Sequence, residues 1–394
     1  MNKINKYSIL FFLAGIMFFF HSCVEQFMPV LNESDVQNLL VVEGQITDEA
    51  GSFKVRLTNS VSVYSDPNIL NKDHPVYGAN VQIFDDKGNT FSLYETENGW
   101  YETENKNLKG TIGNTYTLLI STDDNKQYES SPVLMQESPD IEKIHSEEVK
   151  HTYFNELGSF EENWVNILID SKVPVDKGGY LKWEMEETWE FEMPSRVLVE
   201  HGSEPGDPPA SIEIIDIDYE RKFCWVTETS SQLIVESTAG YLDNQIKNFM
   251  LQTIRPPSDR LNKKYSILVK QYLISKELYD LFRKLREANE DVGGIYSIIP
   301  GQIFGNIKCC NNEEKVLGYF FAAGVKTKRI FIDRFEHNIA KGSAYYGCGW
   351  TSKVPRYLKA YYYGMGTEVV YSSNIYCTDC RKRGTNVKPD FWED

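Results

Sequence analysis

Five glutamates stand close together in one segment of the chain and could supply a pair of catalytic carboxylates. They are Glu184, Glu186, Glu187, Glu190 and Glu192. Many glycoside hydrolases use two such groups, one as a general acid and the other as a nucleophile or general base. Most of these glutamates, however, alternate with apolar residues such as Trp183 and Met185, which is typical of a strand with one face in solvent. The pattern favours a solvated strand face, and we assign no catalytic residue to it.

The chain lacks the sequence motifs of several large enzyme classes. It contains neither the H-E-x-x-H motif of zinc proteases nor the G-x-S-x-G motif of α/β-hydrolases. Gly301 and Gly305 lack the spacing and the terminal Lys-Ser/Thr of a P-loop. Asp85, Asp86 and Asn89 lack the bidentate acid of a calcium-binding loop and favour a hairpin turn. We therefore expect a protein that is not an enzyme and holds no metal ion or cofactor.

Six of the seven cysteines lie beyond the N-terminal segment and are disulfide candidates. They are Cys224, Cys309, Cys310, Cys348, Cys377 and Cys380. Cys377 and Cys380 form a C-x-x-C motif, but a structural zinc site needs a second such pair and a thioredoxin-like site needs a βαβ context. An even number of cysteines in an exported chain favours disulfides over metal or redox chemistry.

The pairing of these cysteines is open to several alternatives. Cys348 and Cys377 make a plausible pair, which leaves Cys380 to reach Cys224 or one of Cys309 and Cys310. A bond between the adjacent Cys309 and Cys310 would be strained, so we expect each to pair elsewhere or one of them to stay free.

Aromatic side chains are the best candidates for a surface that binds a ligand or a protein partner. We assign this role to Tyr361, Tyr362, Tyr363 and Trp189. Neighbouring residues on a strand point to opposite faces, so at least one tyrosine of the triplet should be exposed. The alternative is an aromatic-rich strand with a single amphipathic ring on its outer side.

The N-terminal segment has the features of a bacterial lipoprotein signal. Lys3 and Lys6 precede the uncharged apolar stretch 9–20, which is shorter than the roughly 20 residues needed to cross a bilayer. Ser22 directly before Cys23 resembles a lipobox, in which the signal peptidase cuts before a lipidated cysteine. We predict a signal peptide over 1–22, lipidation of Cys23 and a tether over 23–38. The alternative is an ordinary secretory signal with a chance cysteine.

Residues 39–137 are predicted to form a small β-sandwich that folds independently. Phe53, Val55 and Leu57 alternate with polar residues, which indicates a half-buried strand. Polar turn sequences separate this and several similar short strands, and no helical period appears. Ser138 and Pro139 mark the end of the sandwich.

Residues 140–394 are predicted to form a second β-rich domain with one amphipathic helix at about 275–290. Ser275 can cap this helix, and four apolar residues recur at helical spacing: Leu278, Leu281, Phe282 and Leu285. The cysteine-containing C-terminal segment lacks a clear period. We expect Phe391 and Trp392 to pack the chain end against this domain, and Arg381, Lys382 and Arg383 to face solvent or an acidic partner.

Composition sets limits on the class of protein. The chain has 394 residues and a hydrophobic content of 41%, which is enough for buried cores and argues against disorder. Its net charge of -16 argues against nucleic acid as a partner, because phosphate binding needs a positive surface.

Several motifs resemble a family of outer-membrane lipoproteins of the Bacteroidota that is catalogued as a domain of unknown function. They are Leu40-Val-Val-Glu-Gly-Gln-Ile-Thr-Asp48, Pro75-Val-Tyr-Gly-Ala-Asn-Val81, Gly305-Asn-Ile307, Val316-Leu-Gly-Tyr-Phe320, Cys377-Thr-Asp-Cys-Arg381 and Lys388-Pro-Asp-Phe-Trp392. The resemblance implies a transthyretin- or immunoglobulin-like first domain. It implies no catalytic residue. It also implies proximity to TonB-dependent receptors, beside which such lipoproteins are often encoded.

The resulting hypothesis is a non-enzymatic lipoprotein, anchored by lipid to the periplasmic or extracellular face of the outer membrane. It would serve as an accessory or ligand-binding partner of a TonB-dependent β-barrel receptor. The alternative is a surface adhesion or glycan-binding lipoprotein that works without a transporter.

Overall fold

Alternating apolar and polar residues extend along most of the chain, and in the computed structural model these stretches form strands. The structure describes residues 39–60, 74–155, 158–174, 178–193, 197–201, 212–215, 219–290, 305–339, 360–365, 368–372, 374–377 and 379–393. All of these except Ser60 belong to one compact unit. Within them, strands predominate and one long helix is present, so the predicted mainly β class with a single amphipathic helix is confirmed.

The strands are numbered in chain order. They are β1 (Leu40–Thr47), β2 (Lys54–Asn59), β3 (Asn80–Asp85), β4 (Thr90–Glu95), β5 (Trp100–Glu102), β6 (Thr115–Ser121), β7 (Gln127–Ser130), β8 (Val133–Leu134), β9 (Ile141–Asn155), β10 (Gly158–Lys172), β11 (Tyr180–Glu192), β12 (Val197–His201), β13 (Ile212–Ile215), β14 (Phe223–Thr229), β15 (Ile234–Ser237), β16 (Gln245–Ile254), β17 (Lys264–Ile274), β18 (Ile307–Cys309), β19 (Leu317–Ala323), β20 (Val325–Asp333), β21 (Ala360–Met365) and β22 (Glu368–Ser372). The helices are α1 (Tyr219–Lys222) and α2 (Lys276–Glu290).

The first sheet contains ten strands and curls around a single core. Its order is β18-β7-β6-β3-β4-β5-β2-β1-β19, with β8 beside β6. Buried side chains from β1, β2, β3 and β6 pack together in that core. They include Val42, Leu57, Ile83 and Leu118. Every second residue of β1 is buried, as the alternation of side chains along a strand requires. This curled, nearly closed sheet lies where the sequence predicts a small β-sandwich, and we call it the sandwich below.

Two strands from the C-terminal half complete the sandwich. β19 pairs in parallel with β1 at one end of the sheet, and β18 pairs with β7 at the other. Ile307 and Phe320 add their side chains to the same core. Gly318 has a φ of +89°, and a Cβ there would collide with the carbonyl group of Val42, so the close approach of β19 to β1 requires glycine. The sandwich is therefore not confined to residues 39–137.

Two further sheets, formed mainly by the middle of the chain, pack face to face. We call them together the second pair of sheets. The order of one is β16-β10-β9, and that of the other is β14-β11-β17-β20 with β15 beside β11. Ile167, Trp183 and Ile267 are fully buried between them. The indole Nε1 of Trp183 donates a hydrogen bond of 2.9 Å to Oε1 of Gln271, which satisfies the one polar atom of that ring inside the core.

The predicted helix covers the outer face of the sheet that contains β11, β15 and β17. Ser275 accepts a hydrogen bond of 3.3 Å from the backbone N–H of Leu278 and so caps α2 as expected. Leu278, Leu281 and Phe282 are buried and form a third core with Tyr272 of β17. The helical stripe of apolar residues thus packs in the way its spacing predicts.

The end of the chain packs against the second pair of sheets. The ring of Trp392 lies 5.7 Å from that of Phe331, and its exposed fraction is only 7%. Arg383 forms an ion pair of 2.6 Å with Asp259, so one acidic partner of this basic segment lies within the chain itself.

A fourth sheet has the order β13-β12-β21-β22.

Membrane attachment concerns residues that the structure does not describe. Residues 1–38, which contain the predicted signal peptide, Cys23 and the tether, lie outside the described part of the chain. In the described part, no helix is both long and apolar enough to cross a membrane.

Candidate functional site

A cleft of about 520 Å³ lies between the first sheet and the outer face of the second pair of sheets. We call it the interlayer cleft. Its lining includes Glu43, Gln45, Glu49, Lys54, Trp100, Glu184, Glu186, Lys270, Tyr272 and Tyr319. One wall is β1 with its following turn, and the opposite wall is formed by β11 and β17. The residues of β11 and β17 that line the cleft lie mainly on the outer faces of these strands, which point away from the core between the second pair of sheets.

Several contacts fasten the β1 side of the interlayer cleft to the second pair of sheets. The Nζ of Lys270 lies 2.7 Å from Oε2 of Glu49. The backbone N–H of Val325 donates a hydrogen bond of 2.8 Å to Oδ1 of Asp48. Both acidic residues belong to the turn after β1, so this turn is fastened to the second pair of sheets.

A buried cation lies beside the interlayer cleft. Lys182 is 4% exposed, and its ammonium nitrogen lies 4.9 Å from the ring centre of Tyr272 and 5.1 Å from that of Phe321. It forms an ion pair with Glu184, which also accepts a hydrogen bond of 2.7 Å from the hydroxyl of Tyr272. A buried charge is tolerated only when it is paired in this way.

These contacts change the titration of both partners of the tyrosine–carboxylate pair. Burial acts to raise the pKa of Glu184, but the charge of Lys182 and the hydrogen bonds from Lys182 and Tyr272 outweigh it, so the pKa is lowered. The pKa of Tyr272 is raised, chiefly by burial and then by the negative charge of Glu184. Glu184 is therefore held as a carboxylate, and Tyr272 as a hydroxyl that donates to it.

The glutamates of β11 do not form the solvated strand face that their alternation predicts. Glu186 forms an ion pair with Arg329 at 3.1 Å, and Glu187 forms one with Arg260 at 3.2 Å. Glu192 forms ion pairs with both Lys222 and Lys263, each at 2.8 Å. Glu187 is 4% exposed and also accepts a hydrogen bond of 2.7 Å from the hydroxyl of Tyr265. The reason is tertiary: other parts of the chain cover both faces of this sheet in part, and they bring basic side chains close to these glutamates.

The interlayer cleft combines aromatic rings with an excess of negative charge. Its lining has four carboxylates and two lysines. Glu43 is exposed, whereas Trp100 and Tyr319 are half-buried. Aromatic faces and hydrogen-bonding carboxylates suit a polyhydroxylated ligand or a cationic one, and they disfavour an anion. Among the described residues, no group of three or more metal-binding side chains comes together.

Trp189 does not form the exposed surface predicted from the sequence. It is 7% exposed and belongs to the core between the second pair of sheets. The guanidinium carbon of Arg260 lies 4.6 Å from its ring centre and covers the remaining face. Sheet packing explains this burial, since the face of β11 that carries Trp189 is the one turned towards β10 and β16.

The tyrosine triplet lies on a strand, as both alternatives drawn from the sequence expect. Tyr361, Tyr362 and Tyr363 belong to β21, which pairs with β12 on one side and β22 on the other. Their side chains lie outside the described part of the structure. Their assignment as a ligand or partner surface stays a prediction.

The cysteines divide into bonded and free groups. Cys224 of β14 is bonded to Cys380, 156 residues away in the sequence. Cys377 is also disulfide-bonded, and Cys348 lies outside the described residues. Cys309 and Cys310 are both free.

The two free thiols correct the expectation that at least one of this adjacent pair is bonded. Cys309 ends β18 of the first sheet, whereas the Cys224–Cys380 bond joins β14 of the second pair of sheets to the C-terminal segment. The sheet topology thus places the two groups of cysteines in different parts of the fold.

Strands β9 and β10 form a long hairpin whose outer half is exposed on both faces. Register pairs Tyr153 with Phe160, and their rings stack at 5.6 Å. Further along the same face, His151 stacks on Trp164 at 3.9 Å. Phe154 on the opposite face is 79% exposed. We call residues 149–155 and 158–164 of this hairpin the aromatic ribbon.

Neither the interlayer cleft nor the aromatic ribbon was found from the sequence. The cleft unites Glu43, Glu184 and Tyr272, which are far apart in the chain, and no local pattern signals that they meet. The ribbon does have a local signal: two runs of strand-forming residues meet at Gly158, whose φ is +132°. The runs are 15 residues each, longer than most strands, which predicts a hairpin that extends beyond the body.

Comparison with known proteins gives a family and no function. A search of curated proteins finds no match to this chain. Among solved structures, the adhesin InvE of Yersinia pseudotuberculosis is similar over 60% of this chain and 57% of its own, with 14% identity and a TM-score of 0.15. A score this low supports no inference about fold or function. The family model for a domain of unknown function, DUF4249, matches residues 24–329, most of the chain, and the chain belongs to this family.

Proposed function

We propose that this chain is a non-enzymatic outer-membrane lipoprotein that acts as an accessory or ligand-binding partner of a TonB-dependent receptor. The lipobox-like Ser22-Cys23 supports anchorage by acyl chains. The sequence resemblance to lipoproteins often encoded beside such receptors supports the choice of partner.

The aromatic ribbon is the observation that supports a protein partner. Tyr153, Phe154 and Phe160 are 37%, 79% and 36% exposed, on a two-stranded hairpin with solvent on both faces. Exposed aromatic side chains that cluster in this way typically mark interaction sites, because burying them on a partner is favourable. A hairpin can also insert into a concave surface such as the mouth of a barrel.

A pull-down in mild detergent from the native membrane tests this proposal. The wild-type lipoprotein should co-purify with a large β-barrel protein. The triple variant Tyr153→Ser, Phe154→Ser, Phe160→Ser should lose that protein while keeping its own fold and membrane location.

A matched control removes exposed aromatic rings elsewhere. Tyr94 and Phe335 are 53% and 87% exposed and lie outside the ribbon. The variant Tyr94→Ser, Phe335→Ser should retain the barrel. Absence of any barrel from the wild-type sample, or equal retention by the ribbon variant, would contradict the proposed use of this surface.

A second candidate function, glycan binding by a surface adhesion protein, is favoured by the interlayer cleft. Trp100 and Tyr319 offer ring faces for sugars, and Glu43 offers an exposed carboxylate for hydroxyl groups. Glycan-array binding by the isolated protein that is lost in Trp100→Ala, and kept in the ribbon variant, would favour this function. No array signal together with barrel co-purification would favour the receptor partner.

A further inference from the structure

A second cleft, about 910 Å³ in volume, lies between the segment before β15, the strand β16 and the helix α2. Two arginines, Arg255 and Arg286, line it together with the apolar side chains of Leu233, Phe249 and Met250. We call it the basic cleft. No acidic residue is among its lining residues, which is unusual in a chain with a net charge of -16.

Both arginines are held in place without being neutralised. The guanidinium carbon of Arg255 lies 4.7 Å from the ring centre of Trp164, and Nη1 of Arg286 donates a hydrogen bond of 3.3 Å to the carbonyl of Val235. Neither contact removes charge. Among the described residues, neither arginine lies within ion-pair distance of a carboxylate.

Two glutamates close in sequence to Trp164 and Val235, the residues that hold these arginines, accept hydrogen bonds from other donors. Glu162 accepts hydrogen bonds from the hydroxyl of Tyr153 at 3.1 Å and from Nε1 of Trp164 at 3.4 Å. Glu236 accepts one of 2.9 Å from the backbone N–H of Ser237. The guanidinium groups therefore keep donors for an external oxyanion, which arginine recognises with paired hydrogen bonds.

The remaining lining provides a surface for an apolar body. Met250 is 55% exposed, and Phe249 is half-buried beside it. Methionine adapts its shape to different apolar groups, as in other proteins that bind varied hydrophobic ligands. By contrast, the interlayer cleft has four carboxylates in its lining. The two clefts thus differ in the charge of the ligand that each can accept.

We propose that the basic cleft binds an amphiphile with a single oxyanion headgroup, either a carboxylate or a phosphate, attached to an apolar chain. The headgroup contacts Arg255 and Arg286, and the chain lies against Phe249 and Met250. This site adjoins the aromatic ribbon, because Arg255 lies against Trp164, but Tyr153, Phe154 and Phe160 are not among its lining residues.

Titration calorimetry of the folded, soluble chain from residue 24 onwards tests the proposal, with ligands kept below their micelle-forming concentrations. The probes are decanoate and decyl phosphate, with acetate and decanol as controls that carry only the headgroup or only the chain. One decanoate or one decyl phosphate should bind per chain, and the tighter of the two identifies the headgroup. Acetate and decanol should bind at least tenfold more weakly.

Arginine variants assign the binding to this cleft. Arg255→Gln and Arg286→Gln should each weaken binding of the amphiphile roughly tenfold or more, as the loss of a charge-assisted hydrogen bond predicts. Arg334→Gln is the matched control, because Arg334 also lies over an aromatic ring, that of Phe335 at 5.2 Å, but outside the cleft. Thermal melts of all three variants check that the fold is kept.

Three results would overturn the proposal. One is the absence of saturable binding of both amphiphiles, and another is equal binding of decanol. The third is equal weakening by Arg334→Gln, which would assign the effect to overall charge instead of the cleft.

Discussion

At the scale of single residues, charge pairing decides much of what this protein can do. Lys182 and most of the glutamates of β11 form ion pairs, and among them Lys182 and Glu187 are almost fully buried. Their sequence pattern resembles that of a solvated face. The pairing of these glutamates has a functional consequence, since a carboxylate committed to an ion pair is less available to a ligand than the exposed Glu43.

Glu184 should make the stability of the fold depend on pH. A carboxyl group whose pKa is lowered on folding adds stability at pH above its ordinary value of 4.5, and this contribution is lost as the pH falls through the lower folded value. Glu184→Gln should therefore lower the melting temperature most at neutral pH, and its difference from wild type should shrink below about pH 4.5. Melts from pH 3 to pH 7 measure this difference.

The exposed Glu104 provides the control for this measurement. Glu104→Gln should show little difference from wild type across the same range. A Glu184→Gln difference that stays constant down to pH 3 would contradict the assigned pKa direction.

The Cys224–Cys380 bond should be a main source of stability for the C-terminal segment. It closes a long loop, and loss of a native disulfide typically costs about 2–5 kcal/mol. Cys224→Ser, Cys380→Ser should lower the melting temperature by several degrees and make the C-terminal segment more sensitive to protease. Cys310→Ser, which removes a free thiol, should leave the melting temperature unchanged, and an equal loss in both variants would argue against this bond.

At the scale of secondary structure, local patterns are reliable where one segment contains the whole signal. The cap at Ser275 and the apolar stripe of α2 lie within one run of residues, so the helix could be predicted closely. The hairpin turn between β3 and β4 is similar, because Asp85 accepts hydrogen bonds from the N–H of Lys87 and Asn89 within the turn itself. The pairing of β1 with β19 joins residues almost 280 positions apart, and no local pattern encodes it.

The shared sandwich predicts a dependence of its N-terminal part on its C-terminal strands. A fragment of residues 39–137 lacks β18 and β19 and loses the side chains of Ile307 and Phe320 from its core. Removing a buried phenylalanine alone costs about 3–5 kcal/mol. The fragment should melt at a lower temperature, and less cooperatively, than a fusion of 39–137 to 305–323 through a flexible linker.

A fusion that carries Phe320→Ser is the control for this comparison. It should melt close to the fragment alone, because its added strand no longer fills the core. Equal melting of the fragment and the intact fusion would show that the two late strands are dispensable.

At the scale of the whole molecule, membrane attachment is predicted to depend on one side chain. Cys23→Ala should abolish acyl labelling with palmitate and move the protein from the membrane fraction to the soluble fraction, because no other anchor is predicted in the sequence. Labelling followed by sedimentation measures both effects. Cys310→Ser is the matched control, and a Cys23→Ala protein that still labels and sediments with membranes would contradict the lipoprotein prediction.

The amino-acid sequence by itself determined the mainly β class, the position of the amphipathic helix and the packing of Trp392 at the chain end. Each depends on periodicity or on the burial of large apolar groups, which are properties of short segments. Only the tertiary structure decided that Trp189 is buried, that Cys309 and Cys310 stay free, and that most glutamates of β11 are paired. It also decided that Arg255 and Arg286 line one cleft. These outcomes depend on which distant segments lie beside one another, and neither side-chain periodicity nor residue spacing contains that information.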